Sequence, residues 1–247
     1  MNITEFQVKH LNLAEGKRHL DYGYSCGLFR NKGLIYKAVG DEVVSYRCSC
    51  QSIRKSLHII NRSGLSHLVE KMTFDNYIVK EQWQQSLKDN AISFAKSDTP
   101  SPVFFLGGQS GSGKTHLCTA ITRELMLRGF STLYFVWPQE SKHLKSIANE
   151  PFYSQSLDKF KTVDVLYVDD FLKTVKGTPP TPADMSLAFD ILNHRLTNPG
   201  KITVISTEMT IKEIMELDEA TASRIKQVAS NHLHIVGKDA TKNYRLR

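Results

Sequence analysis

Eight consecutive residues restrict this chain more than any others: Gly108-Gln109-Ser110-Gly111-Ser112-Gly113-Lys114-Thr115. They fit G-x-x-x-x-G-K-[ST], a pattern that works only in one setting. An apolar strand must lead into the turn and a helix must lead out, so that backbone N–H groups converge at a helix N-terminus. Both flanks are present. Residues 103–106 form a short apolar run. Residues 115–128 place Leu117, Ile121 and Leu125 on one helical stripe, with Gly129 as the stop. The glycines permit backbone angles that a side chain forbids, so the loop can wrap a phosphate group. Lys114 is expected to reach the β- and γ-phosphates of ATP, and the Thr115 hydroxyl to ligate magnesium. The expected cradle runs from Gly108 to His116.

The residues that follow continue the alternation. Segments 132–137, 163–168 and 202–206 read as strands, and 183–196 and 211–217 as helices. Strands alternating with helices imply an α/β fold, with a parallel sheet flanked by helices on both faces. The apolar run Val165-Leu166-Tyr167-Val168 ends in Asp169-Asp170. Carboxylates at the C-terminal edge of a parallel strand sit beside the phosphate site. Asp169 is expected to hold the magnesium, through water, and Asp170 to orient or deprotonate the attacking water.

The first 70 residues differ in kind. They are polar, with scattered apolar residues, strand-like runs at 34–39 and 43–46, and three of the four cysteines: Cys26, Cys48 and Cys50. The fourth, Cys118, falls in the helix after the glycine loop and reads as a small buried apolar residue. A joining segment, 71–102, carries Trp83, Leu87, Ala91 and Phe94 at helical spacing, and Pro100 and Pro102 bar the helix from continuing. The N-terminus lacks the apolar stretch of a signal peptide, and no apolar run nears the ~20 residues of a membrane span. A cytoplasmic protein with reduced thiols and no membrane partner is therefore expected. Lys plus Arg is 32 against 25 Asp plus Glu, a formal charge of +7, which suits a polyanionic partner such as nucleic acid.

A set of motifs in fixed order carries a resemblance. The glycine loop ending in His116 is followed by Val-Asp-Val-Leu-Tyr-Val-Asp-Asp-Phe-Leu-Lys at 163–173 and Ile-Ser-Thr-Glu at 205–208. Ser223-Arg224-Ile225 and Asn-Tyr-Arg-Leu-Arg at 243–247 come next, and Thr73-Phe-Asp-Asn-Tyr77 lies upstream. Together they resemble the DnaC/DnaI-like helicase loaders, a branch of the AAA+ ATPases, in the phage or prophage form of Gram-positive bacteria. The resemblance covers the chain from about residue 72 onward. It implies an AAA+ P-loop domain over 103–247, a linker with a joining helix over 71–102, and a small N-terminal helicase-binding adaptor domain over 1–70. It implies hydrolysis of ATP to ADP, and loading of a DnaB-type replicative helicase onto single-stranded DNA as replication begins. A host loader or initiator protein is a further partner of this kind.

The same resemblance implies roles for residues that chemistry alone would not single out. Ser206 and Thr207 look like sensor 1, with Glu208 standing where many relatives carry Asn. Arg224 resembles the arginine finger that completes a neighbouring copy's site, which implies self-association. Arg245 resembles sensor 2. Relatives often bind zinc through C-x-x-C followed by C-x-C. Here Cys26, Cys48 and Cys50 remain, Gly23 stands where the first cysteine would fall, and His19 or His10 is the fourth ligand to consider. Residues 142–161, with Lys142, His143, Lys145, Phe152, Tyr153, Lys159 and Lys161, are a candidate DNA-contacting insert. Two other functions fit the motifs: a transposition ATPase similar to the IstB family, and a phage adaptor or inhibitor that binds a host helicase or loader without needing ATP turnover.

Overall fold

The computed structural model describes residues 3–16, 26, 30–48, 50–62, 66–175 and 178–245. The chain divides into two compact units, residues 1–66 with 126–131, and residues 67–125 with 132–247. Among the described residues no helix is long and apolar enough to cross a membrane.

In the first unit, helix α1 (Ile3–Leu13) packs against an antiparallel hairpin of β1 (Leu34–Val39) and β2 (Glu42–Arg47), joined by a two-residue turn at Gly40 and Asp41. The Asn12 side chain ties helix to strand. Its Nδ2 donates to the Tyr36 carbonyl at 2.8 Å, and its Oδ1 accepts the Tyr36 N–H at 3.1 Å. Neither strand contains a fully buried residue. Helix α2 (Cys50–Arg62) follows. Its first residue joins Cys26 and Cys48 in a buried cluster, with Ile35 packed against it.

The second unit begins within the short helix α3 (Ser66–Lys71) and continues through α4 (Gln82–Lys96). The inward face of α4 is Gln84, Leu87, Ala91, Phe94 and Ala95. Trp83, expected on that stripe, instead lies half-buried on its shoulder and donates its indole N–H to Glu81 at 2.9 Å. The polar Gln84 takes the inward place because its amide oxygen caps the helix, accepting the N–H groups of Lys80 and Glu81 at 2.8 and 3.0 Å.

Beyond α4 the alternation read from the sequence appears as a five-stranded sheet. Its elements are β3 (Val103–Gly108), α5 (Lys114–Leu127), β4 (Thr132–Val136), α6 (Trp137–Ser146), α7 (Tyr153–Thr162), β5 (Val165–Asp169), α8 (Pro182–Thr197), β6 (Ile202–Ser206), α9 (Ile211–Leu217), α10 (Glu219–Ala229) and β7 (Leu233–Val236). The strand order is β4-β5-β6-β3-β7, and every pairing is parallel. Strands β3 and β6 are buried along their whole length, as parallel strands covered on both faces must be. Strand β4 stops one residue short of the expected Trp137, because Pro138 in the first turn favours the start of α6. Helix α10 and the edge strand β7 complete the unit without having stood out in the sequence.

One buried cation fastens the N-terminal edge of this sheet. Arg195, fully buried near the end of α8, donates to the carbonyls of Phe160, Val163, Asp164 and Ile202 at 2.7–3.1 Å and to the Thr203 hydroxyl at 3.0 Å. The guanidinium therefore satisfies carbonyls around the end of α7 and the starts of β5 and β6.

Candidate nucleotide site

Strand β3 lies between β6 and β7, while the chain leaves it for the far edge strand β4. A crevice forms outside the C-terminal ends of parallel strands where the order switches in this way. The glycine loop occupies that position. At Gly108, φ is +103°, and a Cβ there would lie 2.0 Å from the Val236 carbonyl oxygen of the neighbouring strand. At Gly113, φ is +90°, and a Cβ would lie 2.9 Å from the Tyr77 ring. Both positions exclude a side chain, for backbone angle and for space. The loop is closed by the Gln109 N–H donating to Val236 at 2.9 Å and by the Ser112 hydroxyl donating to Gln109 at 2.8 Å. Lys114 heads α5 and folds back over the loop, donating to the carbonyls of Gly108 and Gln109 at 3.0 and 2.6 Å. Burial lowers its pKa. A phosphate oxygen would be a far better acceptor for this ammonium than two carbonyls.

The acidic side is built by side chains. At the end of β5, Asp169 Oδ1 accepts from the Thr115 hydroxyl at 3.2 Å, the Tyr167 hydroxyl at 2.8 Å, the Asp170 N–H at 3.1 Å, and also the Ser206 hydroxyl. Thr115 and Asp169 thus bring two hard oxygen donors together, a set that fits magnesium. Asp170 and Leu172 follow with φ of +53° and +58°, a corner that costs of order 1–3 kcal/mol per residue. It is held by the Phe171 N–H donating to Ser206 at 2.9 Å and by the Thr207 hydroxyl donating to Phe171 at 2.7 Å. The result is that Asp170 lines the same cavity as Lys114.

That cavity measures about 420 Å³. The loop residues 110–113, Lys114 and Thr115 form its floor, and Asp170, Lys173 and Glu208 line it as well. Tyr77, Ile78 and Gln84 contribute from the segment around the start of α4, and Tyr244 and Arg245 from the C-terminal segment. Lys173 donates to Asp170 at 3.1 Å and Glu208 at 3.3 Å. Burial opposes the charge on Lys173, but those two carboxylates outweigh it and raise its pKa. Burial likewise opposes ionised Glu208, yet hydrogen bonds from Ser110 and Lys173 hold its pKa below the usual carboxylate value. The C-terminal segment is strapped on. The Tyr244 N–H donates to Gly111 at 3.0 Å, and the Tyr244 hydroxyl donates to Glu81 at 2.6 Å. His116 contacts the Thr73 carbonyl at 2.7 Å and meets the Tyr77 ring edge-on at 5.3 Å.

A model of the bacterial DnaA ATPase domain matches residues 68–230. The chain belongs to this family. It is 31% identical over 236 residues to the phage-like element PBSX protein XkdC of Bacillus subtilis (strain 168), a match spanning 90% of this chain and 86% of XkdC. It is 31% identical over 119 residues to the replicative helicase loader DnaC of Escherichia coli (strain K12), which spans 47% of this chain and about half of DnaC, 49%. A crystal structure of the DnaC helicase loader superposes with a TM-score of 0.54 at 21% identity, covering 69% of this chain and 98% of that one. The resemblance read from the motifs, to DnaC-like loaders of the phage type, is thereby found, as is the AAA+ fold.

Within this DnaA-type ATPase domain, most of the expected site residues come together. Ser110 to His116, Asp170 and Arg245 line the cavity, and Asp169 sits behind it on Thr115. Thr207 does not line it. Its hydroxyl is bound to Phe171, and the neighbour that faces the cavity from this strand end is Glu208. The Ser206 hydroxyl donates to Asp169 instead. Arg224 lies elsewhere, on α10, hydrogen-bonded to Asn193 of α8 and stacked 5.2 Å from the Phe189 ring. Gly108 and Gln109 form the rear of the loop.

Cys26, Cys48 and Cys50 also converge. Their sulfurs lie within 4.8 Å of one another, Cys26 and Cys48 at 3.7 Å, and the Cys50 N–H points at the Cys48 sulfur at 3.4 Å. Burial pushes the Cys48 thiol up to about 12, a cost that a bound cation would reverse. A soft-donor set of this kind fits zinc. His10 is exposed on α1 and is not among the clustered ligand atoms, while His19 and Gly23 lie outside the described residues. In the 142–161 segment, Phe160 is core, Lys145 pairs with Asp184 at 2.5 Å and Lys161 with Asp190 at 3.8 Å. Lys142, His143, Phe152 and Lys159 are exposed.

The sequence reading did not single out Lys173, Gln84 or Tyr244 for the site. Lys173 carried a usable signal, a cation three residues after Asp170 on a tight turn. Tyr244 stood in the C-terminal motif, but nothing local marked its contact, which spans 163 residues.

Proposed function

We propose that this chain is an ATP-hydrolysing helicase loader that engages a DnaB-type replicative helicase and single-stranded DNA at the start of replication. One observation carries the chemistry: Lys114, Thr115 and Asp170 line a single cavity, and Asp169 bonds Thr115 at its edge. The loop N–H groups and Lys114 would bind the phosphates of ATP. Thr115 and Asp169 would hold magnesium, which offsets charge on the phosphate oxygens when bound. Asp170, fixed on its strained corner, would orient the attacking water and accept its proton, and Ser206 would keep Asp169 in place. Arg245 would contact the phosphates from the strap. Arg224 lies outside this cavity in its own chain, so its fit is to a neighbouring copy's terminal phosphate.

Residues 1–70 are assigned to helicase docking, stapled by zinc on Cys26, Cys48 and Cys50, and residues 71–102 to the linker. The exposed Lys142, His143, Phe152 and Lys159 suit single-stranded DNA, where basic groups follow the backbone and aromatic rings stack on bases. The likeness to a protein named as a replicative helicase loader supports the choice of partner. The test is a titration with MgATP, followed by capture of a purified replicative helicase with and without the nucleotide. Saturable uptake that strengthens capture is expected. Uptake without helicase binding would leave an ATPase with another client, and no uptake would end the reading.

A further inference from the structure

The cavity presents an electrostatic problem that the proposed reaction alone does not explain. Asp170 and Glu208 both line it together with Lys114, the residue expected to meet the terminal phosphate. Two carboxylates there repel each other, and both repel a triphosphate. One ammonium lies between them. Lys173 Nζ is 3.1 Å from Asp170 Oδ2 and 3.3 Å from Glu208 Oε1, with its side chain 37% exposed. Lys173 sits on the loop after β5 and Glu208 on the loop after β6, so the bridge also joins the two loops that frame the cavity. The Asp170 corner is left-handed, and the Lys173 N–H returns to the Asp170 carbonyl at 2.9 Å. The lysine is thus anchored at both backbone and side chain.

We infer that Lys173 is a positioning residue that bridges Asp170 and Glu208 and thereby makes the cavity wall acceptable to a third phosphate. It sets the preference of the site for a nucleoside triphosphate over the diphosphate. This rests on the nucleotide reading above. A diphosphate carries no γ-phosphate to face this wall, so loss of the bridge affects the triphosphate selectively. The effect comes through Glu208 and Asp170, so deleting the Glu208 charge must offset loss of the lysine. A purely structural role for Lys173 predicts neither selectivity nor that offset.

The experiment is calorimetric titration of the full chain with magnesium AMPPCP and with magnesium ADP. The proteins are the parent, Lys173→Met, Lys173→Arg, and Lys173→Met combined with Glu208→Gln. Lys173→Met is expected to weaken the triphosphate analogue about tenfold and ADP by no more than about twofold, a difference typical of one charge-assisted contact. Lys173→Arg keeps the parental ratio, and adding Glu208→Gln recovers most of the loss. Equal loss of both nucleotides, no loss of either, or no recovery in the double variant overturns the inference while leaving the nucleotide site standing. A parent protein that binds neither nucleotide overturns both.

Discussion

The two units of this chain hold their shape by different means. In the larger, β3 and β6 are wholly buried, and Phe104, Phe105 and Leu106 have no exposure at all, so apolar burial suffices. In the smaller, the strands are nowhere fully buried, and a buried cluster is made of three thiols with Ile35 against them. A lone two-stranded hairpin is marginal in water, and a unit below about 70–80 residues seldom gains enough from its core. A cation on the cysteines would fill that deficit. The difference teaches that the larger unit should tolerate changes at its cavity without unfolding, whereas the small unit's fold would be tied to any cation its cysteines hold.

The largest effect should come from removing a thiol. Cys48→Ser, or a strong chelator, is expected to abolish hydrogen-exchange protection at the Tyr36 amide while the larger unit still binds ATP. The whole chain purified without zinc, yet equally protected at that amide, would erase the contrast. Next is Arg195→Met, which strands several buried carbonyls and should cost the larger unit about 3–5 kcal/mol. Urea midpoints of the larger unit, with exchange protection in the smaller unit unchanged, check it.

Asp170→Asn probes chemistry inside a stable frame. Turnover should fall about 10²–10³-fold with ATP affinity nearly intact, because the Thr115–Asp169 pair is spared. Parallel loss of binding and turnover would show that Asp170 holds the nucleotide and not the water.

Why some of this was legible in the sequence and some was not follows from contact range. The glycine loop, the strand ending in Asp169-Asp170 and the stripe of Leu117, Ile121 and Leu125 are local patterns tied to helix or strand periodicity. The choice between Ser206 and Thr207 was not local. Ser206 ends β6 and Thr207 lies just past it, and only the placement of β6 beside β5 shows that Ser206 is the one that meets Asp169. Trp83 misled for a related reason, since helical spacing cannot foresee that Gln84 turns inward to cap its own helix. Arg195, which reads as an ordinary basic residue in a last helical turn, binds carbonyls 31 to 35 residues earlier in the chain.

The smallest predicted effect lies at the outer edge of the larger unit, where apolar burial is least complete. His232 Nδ1 and His234 Nε2 both contact Asn90 Oδ1 at 2.8 Å, packed near Phe94 and Phe104, with Lys242 beside His234 in the same groove. Burial lowers both pKa values, and the charge on His232 lowers that of His234 further. The folded state therefore binds fewer protons than the unfolded one. Its stability is fully present above the ordinary histidine value of about 6.5 and declines as pH falls through the window below it. Both rings are partly exposed, so water screens most of the cost. The melting temperature should drop only about 2–4 °C more between pH 7.5 and 5.5 in the parent than in His234→Gln, a shift corresponding to about 1 kcal/mol in a chain of this size. An equal drop in both proteins would place the acid sensitivity of the larger unit away from this pair.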